Sequence, residues 1–160
     1  MPAATVSHED TRTVIRLAGR IDHTSVADFA SAFMSLRGTV VLNLRDVTSI
    51  TSYGMGLLMR HLTAITDKHR VEFAECSETM VDQFQMLQFS CYGRITSFKA
   101  RYACARCERT DSIMLDVRRD LQVTAATRTV RSPEFPCRCG GRLVVDDSLE
   151  FVIQHVEPRS

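Results

Sequence analysis

Apolar and polar positions along the chain fall into alternating strand-like and helix-like segments. In TVIRLAGRID (13–22), Val14, Arg16 and Ala18 alternate with Ile15 and Leu17, which predicts a strand that Gly19 closes. Thr24 or Ser25 then caps a predicted helix with Val26, Phe29, Ala30 and Phe33 on one face, and Gly38 ends it. TVVLNLRDV (39–47) is β-branched and nearly continuously apolar, the pattern of a buried central strand. Met55, Leu58, Leu62 and Ile65 predict a second helix, VEFAEC (71–76) a short strand, and Met80, Val81, Phe84 and Leu87 a third helix capped by Ser77. RITSF (94–98) reads as a last edge strand. Strands alternating with helices at this spacing predict an α/β layer with a partly parallel sheet.

One junction in this pattern carries candidate chemistry. In VTSITSYGMGLLMRHL (47–62), a strand runs into a helix through Thr51, Ser52 and Tyr53. Backbone N–H groups at a helix N-terminus are unpaired and the dipole is positive there, so a phosphate on a neighbouring hydroxyl would be stabilised. Gly54 and Gly56 are read as permitting a tight bend. Two readings of Ser52 stand at this point: a phosphate acceptor, or a plain N-cap whose oxygen accepts a backbone N–H.

Composition narrows the setting. The 160 residues suit one medium domain or a small domain with an appendage, and 44% hydrophobic content fits a folded core. A formal charge of +1 argues against a general attraction to nucleic acid or anionic lipid. No apolar run approaches the roughly 20 residues that span a bilayer. MPAATVSHEDTR lacks a hydrophobic signal core, so the expected compartment is the cytoplasm, where the six cysteines read as metal ligands or buried thiols. Cys104, Cys107, Cys137 and Cys139 lie in the last third while Cys76 and Cys91 stand alone, which predicts two parts, residues 1–99 and 100–160. Residues 98–160 carry a net +2 and residues 1–97 a net −1, a weak difference in the same sense.

The order of elements resembles a known family. GRID (19–22), the VVLNLRDVTSITSYGMGLL core and VDQFQMLQF (81–89) are similar to the STAS domain of anti-sigma-factor antagonists and sulfate transporters, over roughly residues 5–98. In the antagonists the corresponding turn reads Asp-Ser-Ser-Gly or Asp-Ser-Thr-Gly, and a partner kinase that is also the anti-sigma factor phosphorylates the first hydroxyl residue. The resemblance thus implies Ser52 as the acceptor, ahead of Thr51, with Gly54 as the following glycine and Asp22 on the family's Gly-x-x-Asp turn. It implies an interaction surface of Asp22, Thr51, Ser52, Tyr53 and Gly54. The partner implied is a protein, either a kinase/anti-sigma factor or another STAS-type chain, a second copy of this one included. Thr51 departs from the family's aspartate and Tyr53 from its second small hydroxyl residue.

In the last sixty residues, Cys104-x2-Cys107 and Cys137-x-Cys139 form two close pairs separated by a hairpin-length insert. Four thiolates so spaced suit a structural tetrahedral Zn2+, and the segment looks like a zinc ribbon whose folding the metal would support. A pair of redox-active dithiols is the alternative. SIMLDV, LQVTAATRTV, RLVVDD and LEFVIQHV are the predicted ribbon strands, and Glu108 replaces the glycine that often follows the first pair. His155 is expected at the surface. Four cysteines would saturate the metal, so metal catalysis is not expected, and no nucleophile–base spacing or phosphate-binding glycine loop points to an enzyme. Arg118, Arg119, Arg128, Arg131, Arg138 and Arg142 are interleaved with acids, so a nucleic-acid reader is the secondary hypothesis and a protein-interaction regulator the first.

Overall fold

The computed structural model describes residues 2–124 and 126–155. The first part is built on a five-stranded sheet in the order β1-β2-β3-β4-β5. β1 (Ala4–Glu9) runs antiparallel to β2 (Arg12–Ile21), while β3 (Thr39–Ile50), β4 (Val71–Ala74) and β5 (Arg94–Ile95) continue in parallel. Helices α1 (Val26–Ala32), α2 (Ser52–Ile65) and α3 (Glu78–Met86) are the crossovers. The mixed α/β layer expected from the alternating pattern is therefore present.

Several local expectations are corrected. β1, for which no element was predicted, buries only Ala4. Of Thr24 and Ser25, Ser25 stands at the N-cap of α1 but makes no side-chain capping bond there, and the side-chain cap lies one turn earlier. Asp22 accepts the Thr24 N–H at 2.9 Å, while Ser25 Oγ accepts the Asp22 N–H at 3.1 Å, closing a capping box over a 3-10 turn. α1 ends at Ala32 with Phe33 as its C-cap, and Gly38 instead sits in the loop entering β3. Leu87, expected on the apolar face of α3, is its C-cap and is partly exposed. Ser77 caps α3 as expected, accepting the Met80 N–H at 3.4 Å.

The segment RITSF divides between two sheets. Arg94–Ile95 closes the first sheet, and Ser97 begins β6 (Ser97–Cys104) of the second. β6 pairs with β7 (Thr110–Asp116) on one side and with β11 (Arg142–Val145) on the other, and β10 (Phe135–Pro136) completes the order β10-β11-β6-β7. Helix α4 (Val117–Asp120) leads to a small hairpin, β8 (Gln122–Thr124) and β9 (Thr129–Arg131). LEFVIQHV, read as a strand, contributes a 3-10 helix at Glu150–His155. Its buried positions Leu149 and Val152 are three residues apart, the repeat of a 3-10 turn.

The two parts share one hydrophobic core. Ile15, Leu42, Leu58 and Phe73 are fully buried in the first part, as are Phe98, Tyr102 and Val152 in the second, and all belong to a continuous cluster. A parallel bridge between Cys76 and Phe98 joins the sheets where they meet. On the adjoining surface the Arg101 guanidinium reaches Asp82 at 3.1 Å, Glu78 at 3.2 Å and Asp147 at 3.4 Å, clamping β6 to α3 and raising its own already high pKa, chiefly through Asp82.

Candidate functional site

The strand–helix junction is built by a hydroxyl cap. β3 runs out at Ile50, and Thr51 stays extended, so its Oγ1 turns back to accept the Gly54 N–H at 3.1 Å. The Thr51 N–H donates to the Ile21 carbonyl at 3.0 Å, binding the ends of β2 and β3 together. Thr51 therefore does the capping that the sequence suggested for Ser52. Ser52 is the first helical residue, exposed, and its side chain makes no hydrogen bond among the described residues. Tyr53 beside it is 50% exposed, large enough to anchor a contact.

Gly54 has a different role from the one expected. A Cβ there would lie 2.3 Å from the Ile21 carbonyl oxygen, so its lack of a side chain lets the helix start against the β2 end. Gly56 has open space around it, and neither close approach nor a tight bend requires it. Asp22 follows Ile21 directly, which brings its carboxylate to the same end of the sheet. Hydrogen bonds from the Thr24 hydroxyl and N–H, helped by Arg20 at 3.0 Å, hold that carboxyl below the usual carboxylate range. Asp22, Thr51, Ser52, Tyr53 and Gly54 are thus brought together at the C-terminal ends of β2 and β3, with Ser52 and Tyr53 exposed, Asp22 and Thr51 partly so and Gly54 buried.

The second site is the four-cysteine cluster. Cys104 ends β6 and Cys107 follows on its turn, while Cys137 and Cys139 lie on the turn between β10 and β11. Their four sulfurs lie within 4.8 Å of one another, with Cys104–Cys139 and Cys107–Cys137 each at 3.6 Å. A tetrahedral zinc with bonds of about 2.3 Å places its sulfurs about 3.8 Å apart, so the donor set fits that ion. Separations of 3.6 Å are too long for disulfide bonds. The turns are held by Glu108 N–H to Cys104 O at 2.9 Å and Gly140 N–H to Cys137 O at 3.0 Å. Glu108 takes the left-handed conformation at φ 62°, the backbone role that glycine more often fills there.

Electrostatics separate three of the thiols, Cys104, Cys137 and Cys139. N–H groups of Cys107 and Arg106 aimed at its sulfur bring Cys104 down to about 6, and the Cys139 N–H lowers Cys137. At Cys139 the Gly141 N–H acts in the opposite sense, but burial and the three neighbouring sulfurs outweigh it and push the thiol up to about 12. The first thiolates form readily and the last needs a cation, the chemistry of a metal-binding set. Gly141 supplies the space: a Cβ there would stand 2.9 Å from Cys104 Sγ and 3.3 Å from Cys139 Sγ. That cradle and the Arg101 clamp are features that cysteine spacing alone does not indicate. The side chain of His155 lies outside the described residues. Among the described residues no helix is long and apolar enough to cross a membrane.

The family model for the STAS domain matches residues 2–99, and the chain belongs to that family. Among solved structures it is similar to the anti-sigma factor antagonist SpoIIAA in its unphosphorylated form, at 26% identity and a TM-score of 0.41, over 53% of this chain and 84% of that one. No curated protein matches.

Proposed function

We propose that the chain is a non-enzymatic regulatory interaction module of the cytoplasm. Its STAS domain, residues 1–99, docks a protein partner through Asp22, Thr51, Ser52, Tyr53 and Gly54, and phosphorylation of Ser52 switches that docking. Residues 100–160 form a zinc-ribbon-like module in which Cys104, Cys107, Cys137 and Cys139 hold a structural Zn2+. The observation that carries the switch is the division of labour at the junction: Thr51 caps the helix, which leaves the exposed Ser52 hydroxyl without a structural task. A phosphoryl group there adds about −1.5 to −2 charges beside a helix N-terminus, which tolerates them while a surface complementary to the bare hydroxyl is lost. Membership of the STAS family supports a protein partner, and the partner class read for it is a kinase/anti-sigma factor or another STAS-type chain.

The test is affinity capture with wild-type, Ser52→Ala and Ser52→Asp chains, followed by mass spectrometry of partners and of Ser52 itself. Ser52→Ala is expected to retain the partner and Ser52→Asp to lose it; equal capture by both removes the switch. A nucleic-acid reader is less well supported, because Arg119, Arg128 and Arg142 are paired with Asp120, Glu150 and Glu134.

A further inference from the structure

The cluster sulfurs are unequal in a way that metal binding does not require. Cys104 and Cys137 are buried, Cys139 is half-buried and Cys107 is exposed. The two sulfur–sulfur contacts at 3.6 Å each cross from one turn to the other and join a buried thiol to a more accessible one: Cys107 to Cys137 and Cys139 to Cys104. A disulfide needs about 2.05 Å, so closing either pair takes a shift of about 1.5 Å between two short turns.

We propose that Cys107 is a peroxide-reactive modification site with Cys137 as its resolving thiol, making the cluster a reversible redox switch. The Cys107 thiolate attacks one oxygen of hydrogen peroxide; the O–O bond breaks, leaving Cys107 sulfenic acid and hydroxide. The Cys137 thiolate then attacks the Cys107 sulfur, forming the S–S bond and expelling a second hydroxide. The two sulfurs give up two electrons, and the two hydroxides take two protons from the buffered solution, so the peroxide ends as two waters. A second equivalent oxidises Cys104 and Cys139 in the same way. The pairing rests on the sulfur positions alone. Only the accompanying release of zinc, which loses two of its four ligands in the first step, rests on the metal reading above. Elsewhere, Cys76 is wholly buried and its thiol is pushed up by desolvation, so it does not compete. Cys91 is exposed, but among the described residues its sulfur meets only the Gln88 carbonyl, at 3.3 Å, and no thiol that could resolve it, so it serves as an internal comparator.

The sequence makes the pairing directly readable. Tryptic cleavage after Arg101, Arg106, Arg109, Arg131, Arg138 and Arg142 puts Cys104, Cys107, Cys137 and Cys139 on four separate peptides, and Cys76 with Cys91 on a fifth. The full chain is titrated with hydrogen peroxide, blocked, digested without reductant and mapped by mass spectrometry, while released zinc is followed with a chromogenic chelator. The expected first product links peptides 107–109 and 132–138 at two hydrogens below their summed mass. It forms before the 102–106 to 139–142 link, is accompanied by zinc loss and is reversed by dithiothreitol. Cys91→Ser is expected to leave this course unchanged. A first link within a turn (Cys104 to Cys107 or Cys137 to Cys139), or oxidation of Cys91 while the four stay reduced, overturns the proposal. Metal analysis of the untreated chain separates the two readings: no zinc together with the Cys107–Cys137 link refutes the metal and keeps the switch, and zinc with a different link does the reverse.

Discussion

Two adjacent hydroxyl residues, Thr51 and Ser52, have opposite duties, and their spacing from Gly54 decides which is which. Thr51 Oγ1 accepts from the backbone N–H three residues on, the N-cap relation, whereas Ser52 is already helical. Thr51→Ala is therefore expected to cost about 0.5–2 kcal/mol in urea unfolding. Ser52→Ala should stay within about 0.5 kcal/mol of wild type. Equal losses would return the cap to Ser52. The two glycines part in the same way. Ala in place of Gly in a helix ordinarily stabilises by about 0.5–1 kcal/mol, and with open space around it Gly56→Ala should show that gain. Gly54→Ala would force a methyl to 2.3 Å from the Ile21 carbonyl, a backbone atom that yields little, so the gain is overwhelmed. A net loss of about 1–3 kcal/mol is expected. The sequence displayed a hydroxyl-rich glycine turn; assigning a task to each residue required the position of Ile21, thirty-odd residues earlier in the chain.

At the level of elements, legibility followed periodicity. β3, α2 and α3 were readable because each buries a continuous run or a clean 3.6-residue stripe. β1 was not, since an edge strand held by pairing with β2 buries little and need not alternate. The 3-10 helix at Glu150–His155 was misread because short apolar runs do not separate strand from turn. One interface adds a titration that no motif indicates. His61 of α2 lies against Phe33 and Phe29 of the α1 region, with ring centroids at 4.8 and 5.9 Å. Desolvation, with Arg60 adding to it, lowers its pKa from 6.5. The unfolded chain then takes the proton first, so this contribution is complete above pH 6.5 and is lost as pH falls through the lower folded value. Urea midpoints at about pH 7.5 and about pH 5.5 should show a smaller acid-side drop in His61→Phe than in wild type. An identical drop would place the titration elsewhere.

Across the whole molecule, the cysteine pairs predicted a second part of the chain but gave no hint of how it is joined to the first. β6 runs from the Cys76–Phe98 bridge to Cys104 of the four-cysteine cluster, and midway along it Arg101 grips Glu78 and Asp82 of α3. Since the Arg101 side chain is 43% exposed, solvent screens these pairs and Arg101→Gln should cost only about 1 kcal/mol. The larger lever is the cluster at the far end of the strand. Binding energy of a metal that recognises only the folded turns is folding energy for the elements that carry those turns. Chelation should therefore open β10, β11, β7 and the Cys104 end of β6 first, and then loosen α3, whose surface acids lose their arginine as β6 frays. β2 and β3 should keep their protection, because β3 is flanked on both sides by strands of the STAS domain and its buried face packs on α2 and α3. Hydrogen exchange on the full chain, before and after a strong zinc chelator, reads this directly. Protection lost from residues 97–145 and 78–86 but retained at 39–50 would support a boundary near residue 99. A uniform loss across all strands would instead make the whole chain one cooperative unit, with the metal holding the STAS sheet as firmly as its own turns.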